Sequence, residues 1–165
     1  DSVMHANNTN SVAVFIPVDD INWHALPINM ADIGRQRDIK PHVVILDRTE
    51  GGLGPIDGAT VVEVGDDESL GEAYRAGLKH TKADLIALNI PGVRCLPNRL
   101  TRQRTDLAIN RHIDLVTSNM VLVDEHGCLT AEVDPNNKPV KIRISTFIAF
   151  RESYPTNLIQ RSSEN

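Results

Sequence analysis

The side chains in this sequence with the right type and spacing for chemistry cluster after short apolar runs. Four such runs end in Pro17-Val18-Asp19, Asp47-Arg48-Thr49, Gly65-Asp66 and Asn89-Ile90-Pro91. A carboxylate at the end of a run can accept a hydrogen bond from a polar ligand. It can equally hold its own turn or cap a helix, so Asp19 and Asp47 each have two readings. Arg75 is either a phosphate contact or a solvated arginine. Gly51-Gly52-Leu53-Gly54 follows a run as a phosphate loop would. Pro55 and the lack of a helical pattern behind it argue against that, because such loops aim a helix N-terminus at the anion. Asp124-Glu125-His126 carries metal-binding types but reads as a hairpin turn. Cys95 and Cys128 form no CxxC pair, so zinc and dithiol chemistry lack a frame and both read as free thiols of a reducing compartment. No Ser, His and Asp set has the local frame of a hydrolase.

The elements that must position these residues alternate in type. Residues 11–17 (SVAVFIP), 42–46 (HVVIL), 60–64 (TVVEV) and 85–88 (LIAL) are short and rich in β-branched residues, as strands buried on both faces are. Between them, 22–37 has a stripe of Trp23, Leu26, Met30 and Ile33 at helical spacing. A second helix runs from a cap at Asp66 or Asp67 to about Lys82, with Leu70, Ala73, Tyr74, Gly77 and Leu78 facing inward. A third opens at Pro97 and turns Leu100, Gln103, Leu107 and Ala108 inward. Arg99, Arg102 and Arg104 on that helix read as a solvated face. Further on, 113–123 reads as a strand broken near Ser118 and Asn119, 125–127 as a turn, 129–133 as a returning hairpin arm, 134–139 as a loop and 141–150 as a strand.

This alternation predicts a three-layer α/β/α domain with a mostly parallel central sheet and right-handed crossovers. Ligands of such sheets bind beyond the carboxyl ends of the strands. Any nucleotide therefore belongs near Pro17, Asp47 and Asn89. The domain spans 11–154, after a flexible segment at 1–10 and before a polar tail at 155–165.

Composition narrows the function classes. The 165 residues fit one domain, and aromatics are only 4%, so Val, Ile, Leu and Ala must build the core. A net charge of −5 lacks the basic surplus of a general nucleic-acid binder. No apolar run reaches the ~18 residues of a membrane span. No signal peptide is visible at Asp1, and the reading is cytoplasmic. The sequence opens without Met, so a preceding segment stays open.

The order of motifs resembles a family 2 glycosyltransferase of the GT-A fold. Members open with a strand ending in IPVYN, where 15–20 reads FIPVDD. A second strand ends in VVDDGSTD, where 44–50 reads VILDRTE. A helix and strand carry ArNxGLxxAxGeyIaflD, where 73–89 reads AYRAGLKHTKADLIALN. The next helix starts LPdRL, where 96–100 reads LPNRL. Residues 114–127, DLVTSNMVLVDEHG, and 145–151, STFIAFR, are similar to later strands. The resemblance covers about 11–154. It implies a nucleotide-sugar donor as partner, with Asp47 accepting a bond from the base, Asp19 near the nucleoside and Arg75 near a phosphate.

The departures from the family pattern bear on catalysis. The DXD carboxylates of the family hold a divalent ion that neutralises the donor diphosphate. Laid against IAFLDADDxWLP without a gap, this sequence reads IALNIPGVRCLP, and the three positions become Ile90, Pro91 and Gly92. The resemblance therefore implies loss of the Mn²⁺ or Mg²⁺ site and no metal cofactor. Asn89 is a weak substitute ligand, and Asp66 and Asp67 are employed as caps. Tyr74 takes the place of the motif's arginine, with Arg75 one position later. No equivalent of the catalytic base stands beyond the later strand. Two readings stay open: an active hexosyltransferase that works without the metal, and a glycosyltransferase-like module that binds without catalysis. An unrelated nucleotide-binding α/β domain is the third.

Overall fold

The computed structural model describes residues 10–116, 120–123, 129–133 and 159–161. The expected turn at 125–127, the Asp124-Glu125-His126 cluster, Cys128, the loop at 134–139 and the strand at 141–150 lie outside the described residues. Four strands, β1 (Val12–Val18), β2 (His42–Asp47), β3 (Thr60–Glu63) and β4 (Leu85–Leu88), pair in parallel in the order β3-β2-β1-β4. Beyond them come β5 (Leu115–Val116), β6 (Met120–Val123), β7 (Leu129–Val133) and β8 (Ile159–Arg161). β8 lies between β4 and β5 and is antiparallel to both, while β6 and β7 form a separate antiparallel pair. The helices are α1 (Leu26–Gly34), α2 (Leu70–Leu78) and α3 (Arg99–Ile109).

The apolar runs are unbroken because both faces of the sheet are covered. Alternate residues point to opposite faces of a strand. Val12, Val14, Ile16 and Val18 of β1 therefore join Val43, Ile45, Leu85 and Ala87 on one face, under Leu26 and Ile33 of α1 and Leu100 and Leu107 of α3. Ala13 and Phe15 join Val44, Leu46, Ile86 and Leu88 on the other face, under Ala73 and Tyr74 of α2. The result is the three-layer α/β arrangement expected. Phe15 meets Tyr74 edge to face, with ring centres 5.3 Å apart.

Three local expectations need correction. The stretch 22–37 is not one helix: a 3-10 turn at Trp23–Ala25 precedes α1, and Pro27 sits in the first turn of α1. Proline favours that place because its missing N–H has no partner there to lose. Trp23 falls outside the apolar stripe, is 45% exposed and stacks on His24 at 3.8 Å. The cap of α2 is Ser69, whose hydroxyl accepts from the Glu72 N–H at 3.1 Å. Ser69-Leu70-Gly71-Glu72 has the spacing of a capping box, a sequence signal that outranks the acids before it. Within the stretch expected as a polar tail, Ile159–Arg161 adds a strand to the sheet beside β4.

Gly77 sets the depth of α2. A Cβ there would lie 2.7 Å from Leu46 Cδ2 and 2.8 Å from Phe15 Cε2. Gly77→Ala should therefore lower the unfolding free energy by roughly 1–3 kcal/mol, the usual cost of an overpacked core. Urea denaturation checks this, and an unchanged midpoint would mean that α2 can lift from the sheet without loss.

Candidate functional site

The strand order marks where to look for a site. From β1 the chain moves outward through β2 to β3, whereas β4 lies on the other side of β1. The order reverses at the carboxyl ends of β1 and β4, the place where open sheets bind ligands. The pairing Val18↔Asp47 and Phe15↔Leu88 brings the ends of β1, β2 and β4 side by side. The Arg48 N–H donates to Val18 O at 2.8 Å, and the Asn89 N–H donates to Phe15 O at 2.9 Å.

The named side chains at this edge bond mainly to their own surroundings. Pro17 is buried, and its carbonyl accepts from Asn22 Nδ2 at 3.4 Å. Asp19 Oδ1 accepts from the N–H groups of Ile21 and Asn22, both at 2.8 Å. Its own N–H donates to Asn22 Oδ1 at 2.8 Å. Asp19 thus organises the turn into α1.

Asp47 is 1% exposed. Its Oδ1 accepts from the Thr49 N–H at 2.9 Å and the Thr49 hydroxyl at 2.6 Å, and its Oδ2 accepts from the Leu53 N–H at 2.7 Å. The loop of 48–58 wraps this carboxylate, and Gly52 with φ +77° lets the backbone turn there. No helix follows that loop before β3, in keeping with the reading against a phosphate loop.

Arg75 lies exposed on α2 and pairs with Glu72 at 2.8 Å. Both partners are more than half exposed, so the pair contributes little. Among the described residues, no bond joins Arg75 to Pro17, Asp19, Asp47 or Asn89.

Asn89 is 2% exposed, and its Oδ1 accepts from Cys95 Sγ at 2.9 Å and Arg99 Nη1 at 3.1 Å. Arg99 corrects the reading of its helix as a solvated basic face. It is buried, and also donates to Leu88 O at 3.0 Å and Gln103 Oε1 at 3.2 Å. Arg102 is exposed, and Arg104 is half-buried. Cys95 is a half-buried free thiol.

Sequence reasoning missed the residues that shape this edge. Asn29, Asp32 and Gln36 are buried at the polar end of the α1 stripe. Asn29 and Asp32 are three apart on one face of α1, Gln36 follows two residues past its end, and all three lie against the 89–98 segment. Asn29 Oδ1 accepts from the Gly92 N–H at 3.2 Å. Asp32 accepts four bonds: Arg35 Nη2 at 2.6 Å and Arg94 Nη2 at 3.0 Å on Oδ1, and Arg94 Nε at 2.8 Å and the Cys95 N–H at 3.0 Å on Oδ2. Gln36 Nε2 donates to Leu96 O at 2.8 Å, and its Oε1 accepts from the Leu100 N–H at 3.0 Å. The signal was available as polar residues continuing the helical spacing of Leu26 and Ile33.

Electrostatics follow from this geometry. Burial is the largest single influence on Asp32 and pushes its carboxyl up. The bonds from Arg94 and the Cys95 N–H, the Arg94 charge and the Arg35 bond together outweigh burial, and the carboxyl titrates below its ordinary value. Asp32 in turn raises Arg94 further through the hydrogen bond and the charge.

The segment held in this way carries Ile90, Pro91 and Gly92. They offer no side-chain oxygen, and Gly92 has φ +96°. Every oxygen of Asp32 already has donors, as does Asn89 Oδ1. Among the described residues, no three or more His, Cys, Asp or Glu side chains gather as a metal site would require. Asp66 and Asp67 are exposed and do not cap α2.

No model of a known protein family matches the chain, and no curated protein matches it. Solved structures do. The chain is similar to glucosyl-3-phosphoglycerate synthase from Mycobacterium tuberculosis, solved with Mn²⁺, uridine diphosphate and glucosyl-3-phosphoglycerate, with a TM-score of 0.54 and 18% identity over 70% of this chain and 46% of that one. It is similar to a mannosyltransferase from Pyrobaculum calidifontis in complex with GDP-mannose and Mn²⁺, with a TM-score of 0.51 and 16% identity over 67% and 36%. It is also similar to mannosyl-3-phosphoglycerate synthase from Rubrobacter xylanophilus, with a TM-score of 0.52 and 15% identity over 69% and 42%. The fold is GT-A-like. The chain spans less than half the length of these structures.

Asp32 gives a test of what holds the edge. Its folded pKa lies below the ordinary 3.8, so its stabilisation is complete above that value and is lost as pH falls through the folded pKa. Asp32→Asn should cost roughly 2–3 kcal/mol at pH 7, the scale of charge-assisted bonds. The variant should also show a shallower loss of stability in acid. Denaturant titrations between pH 2 and 7 measure both, and parallel curves for parent and variant would remove Asp32 from the account.

Proposed function

We propose that this domain binds a nucleotide diphosphate sugar at the carboxyl edge of its sheet, as the donor-binding part of a glycosyltransferase, and does so without a divalent metal. The fold supports the first half, through structures that hold uridine diphosphate or GDP-mannose. One observation carries the second half: where relatives by resemblance present carboxylates, this chain presents Ile90, Pro91, Gly92 and then a guanidinium, Arg94. The Arg94 side chain is 65% exposed, and Asp32 holds it in place. The Nε–Nη2 edge of Arg94 is taken by Asp32, and the N–H groups on its Nη1 side remain to meet phosphate oxygens. On this reading Pro17, Asp19, Asp47 and Asn89 shape the crevice through the backbone they hold, and Arg94 supplies the positive charge.

A second reading, a module that binds without transferring sugar, is supported by a specific observation. The carboxylates of Asp19, Asp32 and Asp47 all accept protein donors, and none stands ready as a general base. Calorimetry with UDP, GDP and their sugars, run with Mn²⁺ and then with EDTA, tests the binding proposal. Weak binding of equal affinity in both solutions is expected, reduced in Arg94→Gln. A tight complex that disappears with EDTA would restore a metal-dependent enzyme. No binding by any of these ligands would remove the nucleotide reading altogether.

A further inference from the structure

The opposite edge of the sheet carries a second set of groups that the nucleotide reading does not use. A groove of about 470 Å³ opens at the amino ends of β1, β2 and β4, where Val12, His42 and Ala83 lie. Lys40, Lys82 and Arg104 line it, with Asp38 as the one acid among its described lining residues. The local balance is therefore positive on a chain whose net charge is −5.

Arg104 is the least satisfied of these groups. Among the described residues, its Nε is buried with no hydrogen-bond partner. Nη1 reaches Asn10 O at 3.3 Å, and Nη2 reaches Asp38 O at 3.4 Å. Both lengths lie beyond the usual range for N–H···O bonds. Burial disfavours the charged form and lowers the affinity of Arg104 for its proton, against a smaller opposing pull from Asp38. A half-buried guanidinium with a buried idle Nε and two long bonds to neutral carbonyls is short of negative charge. His42, by contrast, has both ring nitrogens engaged, by Thr81 at 3.1 Å and Thr60 at 2.8 Å.

We infer that this groove binds a small multiply charged oxyanion of the phosphate type, with Arg104 as the principal contact and Lys40 and Lys82 as flanking charges. The anion would accept from the Nη groups, whose bonds to carbonyls are long, and would balance the charge behind them, since Nε itself is closed to the groove. Asp38 limits the site to ligands that outbid one carboxylate, which favours a doubly charged phosphate over a monocarboxylate. The source of the phosphate, free ion or phosphorylated small molecule, is left to the arms of the test.

The experiment is a titration of the full chain with inorganic phosphate, then with glycerol phosphate and a hexose phosphate, followed by the backbone amide and arginine side-chain signals in NMR spectra. Saturable shifts are expected at 38–42, 81–83 and the Arg104 Nε–H, with binding weakened by added salt. Arg104→Gln should weaken phosphate binding by roughly tenfold or more, the scale of one charge-assisted contact. Lys82→Gln and Lys40→Gln are exposed substitutions that leave the packing intact, and each should weaken it a few-fold. Tighter binding of a phosphorylated sugar than of phosphate would assign the site to a metabolite; equal binding would assign it to the free ion. Shifts confined to 89–98, equal affinity in all three variants, or no saturation would each overturn the inference. Arg94→Gln should leave this titration unchanged, so the two edges fail or succeed separately.

Discussion

A buried carboxylate, Asp32, is the constraint on which the carboxyl edge depends. Removing a carboxylate from water costs several kcal/mol, and it is tolerated only when donors surround it. Here the donors are two arginines and a backbone N–H. Two of the three belong to the 89–98 segment. The cost of burying Asp32 can therefore be met only if that segment folds back onto α1. Asn29 and Gln36 extend the same contact to Gly92 at one end and to Leu96 and Leu100 at the other. A polar ladder on a helix thus sets the shape of the loop that follows β4.

The sheet beneath provides the rest. Its double-sided burial fixes β1, β2 and β4 in register, and the register aligns Asp19, Asp47 and Asn89 along one edge. Once aligned, these side chains act on the backbone. Asp19 draws in the turn before α1, Asp47 gathers the loop of 48–58, and Asn89 ties β4 to Arg99 of α3. The carboxyl edge is thereby built mostly from fixed backbone. Arg94 is the charged side chain from the segment that stays largely open to solvent.

Much of the fold was legible in the sequence. Period-two burial on both sides produces continuous Val and Ile runs, and 85–88 was located to the residue. The inward face of α3 was also readable, since Leu100, Gln103, Leu107 and Ala108 are all buried. The helix before β2 was harder, because Trp23 has the right spacing but precedes Pro27, where the chain changes from a 3-10 turn to an α-helix. The site was less legible still. An aspartate after a strand looks the same whether it faces a ligand or its own loop. Asp32 drew no attention because a charged residue on a helix is normally solvated, and its partners Arg94 and Cys95 lie more than sixty residues away. The burial of Arg99 escaped notice for the same reason, since its role depends on a carbonyl at the end of β4.

The most direct measurement of the central claim is native-state hydrogen exchange at the amides of Gly92, Cys95 and Leu100, the three N–H groups held by the ladder. In the parent chain, all three should exchange far more slowly than an exposed loop. In Asp32→Asn, exchange at Gly92 and Cys95 should accelerate by at least about a hundredfold, the opening free energy of ~2.7 kcal/mol that loss of the carboxylate implies. The amides of β1 and β2 should stay protected. Unchanged protection at Gly92 and Cys95 in the variant would contradict the account, because the segment would then hold its shape without the carboxylate.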